Sequence, residues 1–102
     1  MTLSFTCTGA LSESDLPMVL RSTWEARAKW FYIGLELGIK VEILHAIRRS
    51  NHSMIDDCFK EMLVEWLRNA TPVPTLAALA NALRSPTVEF GPLAEQILFS
   101  GM

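Results

Sequence analysis

One stretch restricts the fold more than any other. Between residues 54 and 69, Ile55, Phe59, Met62, Leu63, Trp66 and Leu67 keep a helical period throughout. Spacings of three and four put them along one side of a helix, facing a common core. Asp56 and Asp57 stand near its start and Arg68 near its end, as the helix dipole prefers. Ser53 reads as the N-cap, with Asp56 as a possible box partner. "NATPVPT" then breaks the helix with two prolines.

The same period recurs on both sides. A first helix starts in "SESDLPMVLRS", where Ser14 can cap, Asp15 suits the N-terminal end and Pro17 fits a first turn. Leu16, Val19 and Leu20 form its apolar side. A second helix is expected over residues 25–37, with Trp30, Ile33, Gly34 and Leu37 on one face, widened by Phe31 and Leu35. Gly38 ends it, because glycine takes the left-handed conformation without steric cost. A short third helix covers residues 41–48, burying Ile43, Leu44 and Ile47. Thr75 caps a fifth, alanine-rich helix through Leu76, Leu79, Ala80 and Leu83. A sixth runs over residues 91–98, with Pro92 in its first turn. No β-alternation is visible. Six short helices with brief connections predict an all-α antiparallel bundle, held by shared burial rather than by the stability of any one helix.

At 102 residues the chain suits one domain, and half of its residues are hydrophobic, enough for a core without staples. Residues 1–11 read as a flexible tail and residues 12–102 as the domain. Two cysteines, Cys7 and Cys58, are too few for a disulfide scaffold. The N-terminus lacks a basic region followed by an apolar run, and no stretch reaches transmembrane length. The expectation is a soluble cytoplasmic protein. A net charge of −2 argues against nucleic-acid binding.

Charge is unevenly distributed. Residues 21–49 hold six bases and three acids, a net of +3, whereas residues 50–102 hold three bases and six acids, a net of −3. Such a molecule can attract copies of itself or a relative head to tail.

Catalytic constellations are missing from the sequence. Cys58 lies on the apolar side of its helix and reads as a buried, inert thiol rather than a nucleophile paired with His45 or His52. His45, His52, Asp56, Asp57 and Cys58 fall within 14 residues but match no metal-ligand spacing. Asp56 and Asp57 are adjacent and point about 100° apart on a helix, a poor arrangement for paired-carboxylate catalysis. Trp30 and Trp66 fit the core, while the burial of Trp24, at a helix junction, is left open.

In order, these landmarks resemble the death-domain family. "KWFYIGLELGI" is similar to that family's signature of a tryptophan and a small-residue helix ending in Leu-Gly-Ile. "KVEILHAI" resembles its short third helix, "CFKEMLVEWL" its fourth, "PTLAALANALRS" its fifth and "LAEQI" its closing helix. The resemblance covers residues 11–98. "WEARAKW" and "RSPTVEF" resemble a subgroup found in early-branching invertebrates. Pro92 departs from the family's pattern and would shorten the last helix.

The resemblance implies a six-helix Greek-key bundle, no enzyme activity and no cofactor. It implies homotypic binding to other death domains, self or heterotypic, in oligomers or filaments that signal in apoptosis or innate immunity. Trp30, Ile33, Leu37, Ile39, Leu44 and Ile47 would build the core. One contact type of the family would set Lys29, Lys40, Arg48 and Arg49 of one copy against Asp15, Asp56, Asp57 and Glu61 of another. No nucleic acid, membrane or small-molecule substrate is implied. An alternative is a helical adaptor binding an unrelated helix or peptide in an apolar groove lined by residues such as Phe31, Tyr32, Leu35 and Phe99. Exposed aromatic surface would favour it.

Overall fold

Every regular element of the computed structural model, which describes residues 10–71 and 73–100, is helical. A 3-10 turn, η1 (Glu13–Asp15), leads into α1 (Leu16–Ser22), and a second, η2 (Trp24–Lys29), leads into α2 (Trp30–Glu36). The chain continues through α3 (Val41–Ser50), α4 (Ile55–Asn69), α5 (Leu76–Arg84) and α6 (Gly91–Ser100). Helix α4 touches η1, α1, η2, α2 and α3, while α5 and α6 form a hairpin that packs on the rest through α2.

The organising helix is α4. Cys58, Phe59, Met62, Leu63, Trp66 and Leu67 are all buried. A large apolar side chain contributes about 1.5–3 kcal/mol when fully buried, so this row outweighs any single surface contact. The stripe begins one turn later than the period predicts, because Ile55 is exposed. Trp30, Ile33, Leu44 and Ile47 join the core as expected, and Leu37 and Ile39 pack against it half-buried.

Helix α2 approaches α4 and α3 closely because of Gly34. A methyl group there would meet Leu44 Cδ2 at 2.6 Å and Met62 Cγ at 3.2 Å, and both neighbours are fully buried. The helix ends as the sequence predicts. Gly38 has φ +90°, its N–H donates to the Leu35 carbonyl at 3.1 Å, and the Ile39 N–H donates to the Gly34 carbonyl at 3.0 Å. This paired return satisfies carbonyls that the helix end leaves over.

The helix expected over residues 25–37 is in fact two segments. Thr23 is buried and turns its hydroxyl onto the Val19 carbonyl at 2.7 Å, so it closes α1 rather than capping η2. Residues 24–29 then wind as a 3-10 helix, in which side chains three apart eclipse. That geometry sets the Arg27 guanidinium over the Trp24 ring, 4.6 Å from its centroid.

Two expected caps also move. At the first helix the Ser12 N–H donates to Asp15 Oδ2 at 2.9 Å, and Ser14 lies inside η1. Ser53 does not cap α4. It and His52 have φ of +63° and +52°, and Met54 takes the cap position. The left-handed pair lets the His52 and Ser53 N–H groups return to the Arg49 and Arg48 carbonyls, closing α3 before α4 begins. The Thr75 cap holds, with its hydroxyl accepting from the Ala78 N–H at 3.1 Å.

Helix α6 is not shortened by Pro92. It begins at Gly91, so the ring sits in the first turn, where a missing N–H costs nothing. The expected tail, residues 1–11, lies largely outside the described residues. Its last member, Leu11, is buried, and its N–H donates to the Pro74 carbonyl at 2.8 Å.

Two substitutions test this packing in urea denaturation. Gly34→Ala gains about 1 kcal/mol of helix propensity but overpacks a sealed contact, which costs about 1–3 kcal/mol, so a lower midpoint is expected. His52→Gly relieves a left-handed residue and raises stability by about 1 kcal/mol. A raised midpoint for Gly34→Ala, or a lowered one for His52→Gly, contradicts the packing or strain assigned to it.

Candidate functional site

Polar chemistry in this molecule lies outside the core. Among the described residues, Thr23 is the buried polar side chain, and no buried side-chain nitrogen or oxygen lacks a partner. No group of three His, Cys, Asp or Glu side chains among the described residues converges to hold a metal ion. The 14-residue cluster of the sequence is dispersed. His45 lies against the Phe31 ring at 5.3 Å, His52 sits in the α3–α4 turn, and Cys58 faces inward. Cys7 lies outside the described residues.

Cys58 is fully buried, with Sγ 3.9 Å from the Ile47 carbonyl. Burial pushes the thiol pKa up. Arg48 pulls it down, and Asp57 and Glu61 push it up further.

The basic residues singled out in the sequence come from the end of η2 (Lys29), the α2–α3 turn (Lys40) and the end of α3 (Arg48 and Arg49). Arg48 is exposed, and its guanidinium lies 4.7 Å from the Phe31 centroid and 5.9 Å from that of Trp30. The rings hold its position. Arg49, next along the helix, is exposed too. Neither forms an ion pair among the described residues. Lys29 is half-buried, with Nζ 5.8 Å from the Tyr32 centroid and 3.5 Å from the Thr87 carbonyl. Lys40 stands apart on the rim of a cleft of about 230 Å³ between the α2–α3 turn and the end of α4, lined also by Leu37, Ile39, Ile43, Trp66 and Ala70.

The acidic residues do not form one face. Asp15 is occupied by the Ser12 N–H. Asp56 turns toward η2 and accepts from Arg27 Nε at 2.8 Å. Asp57 and Glu61, one turn apart on α4, border a shallow notch with Asn51, Lys60 and Val64. Glu61 accepts from Asn51 Nδ2 at 2.7 Å, and Asp57 has no ion pair among the described residues. The 100° between adjacent helix positions separates Asp56 from Asp57. Arg27, which the sequence did not single out, joins η2 to α4 at the surface through Asp56. A spacing of three from Trp24 was its one local signal.

Apolar residues are exposed as well. Tyr32 is 48% and Leu35 41% accessible on α2, and Phe99 is 75% accessible on α6. Phe31 is half-buried. None of the four lines the cleft. Trp24, left open by the sequence, is 37% accessible, with its edge on Phe59 at 6.1 Å.

The raised thiol pKa has a consequence for stability. A group whose folded-state pKa lies above its unfolded value gives stability that is complete below the unfolded pKa and lost as pH rises through the folded one. Stability should therefore fall above pH of about 8.5, the unfolded thiol value, and Cys58→Ala should flatten that limb of the profile. A thiol reagent should label native Cys58 only as fast as the protein opens. Rapid labelling of native protein in a Cys7→Ser background, where Cys58 is the remaining thiol, contradicts the buried placement.

No helix among the described residues is long and apolar enough to cross a membrane. No family model matches the chain, and neither curated proteins nor solved structures yield a match.

Proposed function

We propose that this chain is a protein–protein interaction module of the death-domain type, with its helices in the Greek-key order of that fold. It binds another death domain, self or heterotypic, and assembles a signalling oligomer in the cytoplasm. The observation that carries this reading is the state of Arg48. It is exposed, held by two aromatic rings, adjacent to Arg49 and free of any carboxylate among the described residues. An arginine pinned in this way has lost conformational freedom before a partner arrives, which lowers the entropy cost of binding. Asp57 and Glu61 offer the complementary charge on a second copy. The contact joins different surfaces of the two copies, so it propagates instead of closing as a two-fold dimer.

Three of the four acids are already engaged within the molecule, Asp15 by the Ser12 N–H, Asp56 by Arg27 and Glu61 by the neutral Asn51 amide, which leaves Asp57 the least engaged. The basic side also carries apolar area at Tyr32 and Leu35. A mixed surface of this kind gives affinity through burial and partner choice through charge.

The same exposed Tyr32 and Leu35 favour a second reading, an adaptor that takes an unrelated amphipathic helix on this face. Salt separates the two. Exposed charge pairs are screened at physiological ionic strength, whereas apolar burial is not.

Reversing Arg48 and Arg49 to Glu should abolish oligomers seen by light scattering, and high salt should dissolve those of the unsubstituted protein. Assembly unchanged by the reversal rejects the assigned face. Assembly that resists salt but is lost in Tyr32→Ala with Leu35→Ala supports the second reading.

A further inference from the structure

We infer that Arg27 is an internal plug in a docking seat, and that the guanidinium of a second copy's Arg48 or Arg49 displaces it on assembly. The seat is made by Trp24 of η2 and Asp56 of α4. The Arg27 guanidinium lies 4.6 Å from the Trp24 centroid, its Nε donates to Asp56 Oδ1 at 2.8 Å, and Nη1 donates to the Trp24 carbonyl at 3.0 Å. An aromatic face, a carboxylate and a carbonyl together meet the requirements of a planar guanidinium. The second carboxylate oxygen, Oδ2, makes no hydrogen bond among the described residues. A guanidinium arriving from outside can use it.

Three further observations fit a seat more than a structural strut. Both partners of the ion pair are well exposed, Arg27 at 38% and Asp56 at 61% of the side chain, so water screens the bond and exchange is cheap. The site has an exposed apolar wall, since the Trp24 ring beside the guanidinium is 37% accessible. Finally, Arg27 is carried by a 3-10 segment of six residues, longer than the three or four usual for that helix, so it can rearrange without melting an α-helix.

Charge complementarity names the occupant. Arg48 and Arg49 are exposed cations without an ion pair among the described residues. The seat already holds an arginine of the same molecule. Assembly then exchanges an intramolecular pair for an intermolecular one, and Arg27 sets the concentration at which this happens. The inference rests on the assembly reading given above.

Sedimentation velocity at low salt on the whole chain tests it, with Arg27→Ala, Asp56→Asn and the Arg48→Glu/Arg49→Glu protein run beside the unsubstituted one. Emptying the seat in Arg27→Ala should lower the concentration for assembly roughly two- to fivefold, the scale of one exposed ion pair. Asp56→Asn should raise it. Arg27→Gln, which keeps length and loses charge, should behave like Arg27→Ala, and circular dichroism confirms folding. Arg27→Ala and Arg27→Gln sedimenting like the unsubstituted protein, in whatever state of assembly, overturns the plug. If the arginine reversal still abolishes assembly in that case, the assembly reading stands without it. If the reversal has no effect, both fall.

Discussion

Burial of one side of α4 is the constraint on which the rest of the structure depends. The helix touches η1, α1, η2, α2 and α3, and six of its side chains are sealed from water. None of the surrounding helices exceeds ten residues, too short for stability alone in water. They are held because their apolar faces have α4 to cover. Gly34 shows how tight the arrangement is, since one added carbon would collide with Leu44.

This constraint also distributes the surface charge. Fixing Phe59, Met62 and Trp66 inward fixes the rotation of α4, and with it the direction of every acid the helix carries. Asp56 must face η2, where Arg27 meets it. Asp57 and Glu61 must face the end of α3, near Asn51. The exposed ion pairs among the described residues, Arg27–Asp56, Arg68–Glu13 and Arg84–Glu95, are minor in stability by comparison. Their importance lies in which charges they remove from the surface. Arg48 and Arg49 remain outside these pairs, and α2 supplies the rings that hold Arg48 in place.

Much of the fold was legible in the sequence because burial follows period. The row from Phe59 to Leu67, the glycine stop at Gly38 and the Thr75 cap each rest on one local rule, and each holds. Features set by more distant contacts were not legible. A hydrophobic period cannot tell a 3-10 from an α-helix over so short a segment, so residues 25–29 read as part of one longer helix. Ser53 has the right side chain for a cap but the wrong backbone, because α3 closes through a left-handed pair before α4 starts. The charged surface was legible as composition but not as geometry. Asp56 and Arg27 are 29 residues apart, and nothing local announces that they meet. The sequence grouped Asp56 with Asp57, and helix rotation separated them.

On the proposed reading, basic and acidic surfaces of separate copies recognise one another. The most direct measurement mixes two charge-reversed proteins, one carrying Arg48→Glu and Arg49→Glu, the other Asp56→Lys, Asp57→Lys and Glu61→Lys. Each alone should stay monomeric in light scattering, since each has lost one side of the contact. Mixed, they should form a complex, because each retains the surface the other lacks. A mixture that stays monomeric, or single variants that assemble as well as the unsubstituted protein, contradicts the account.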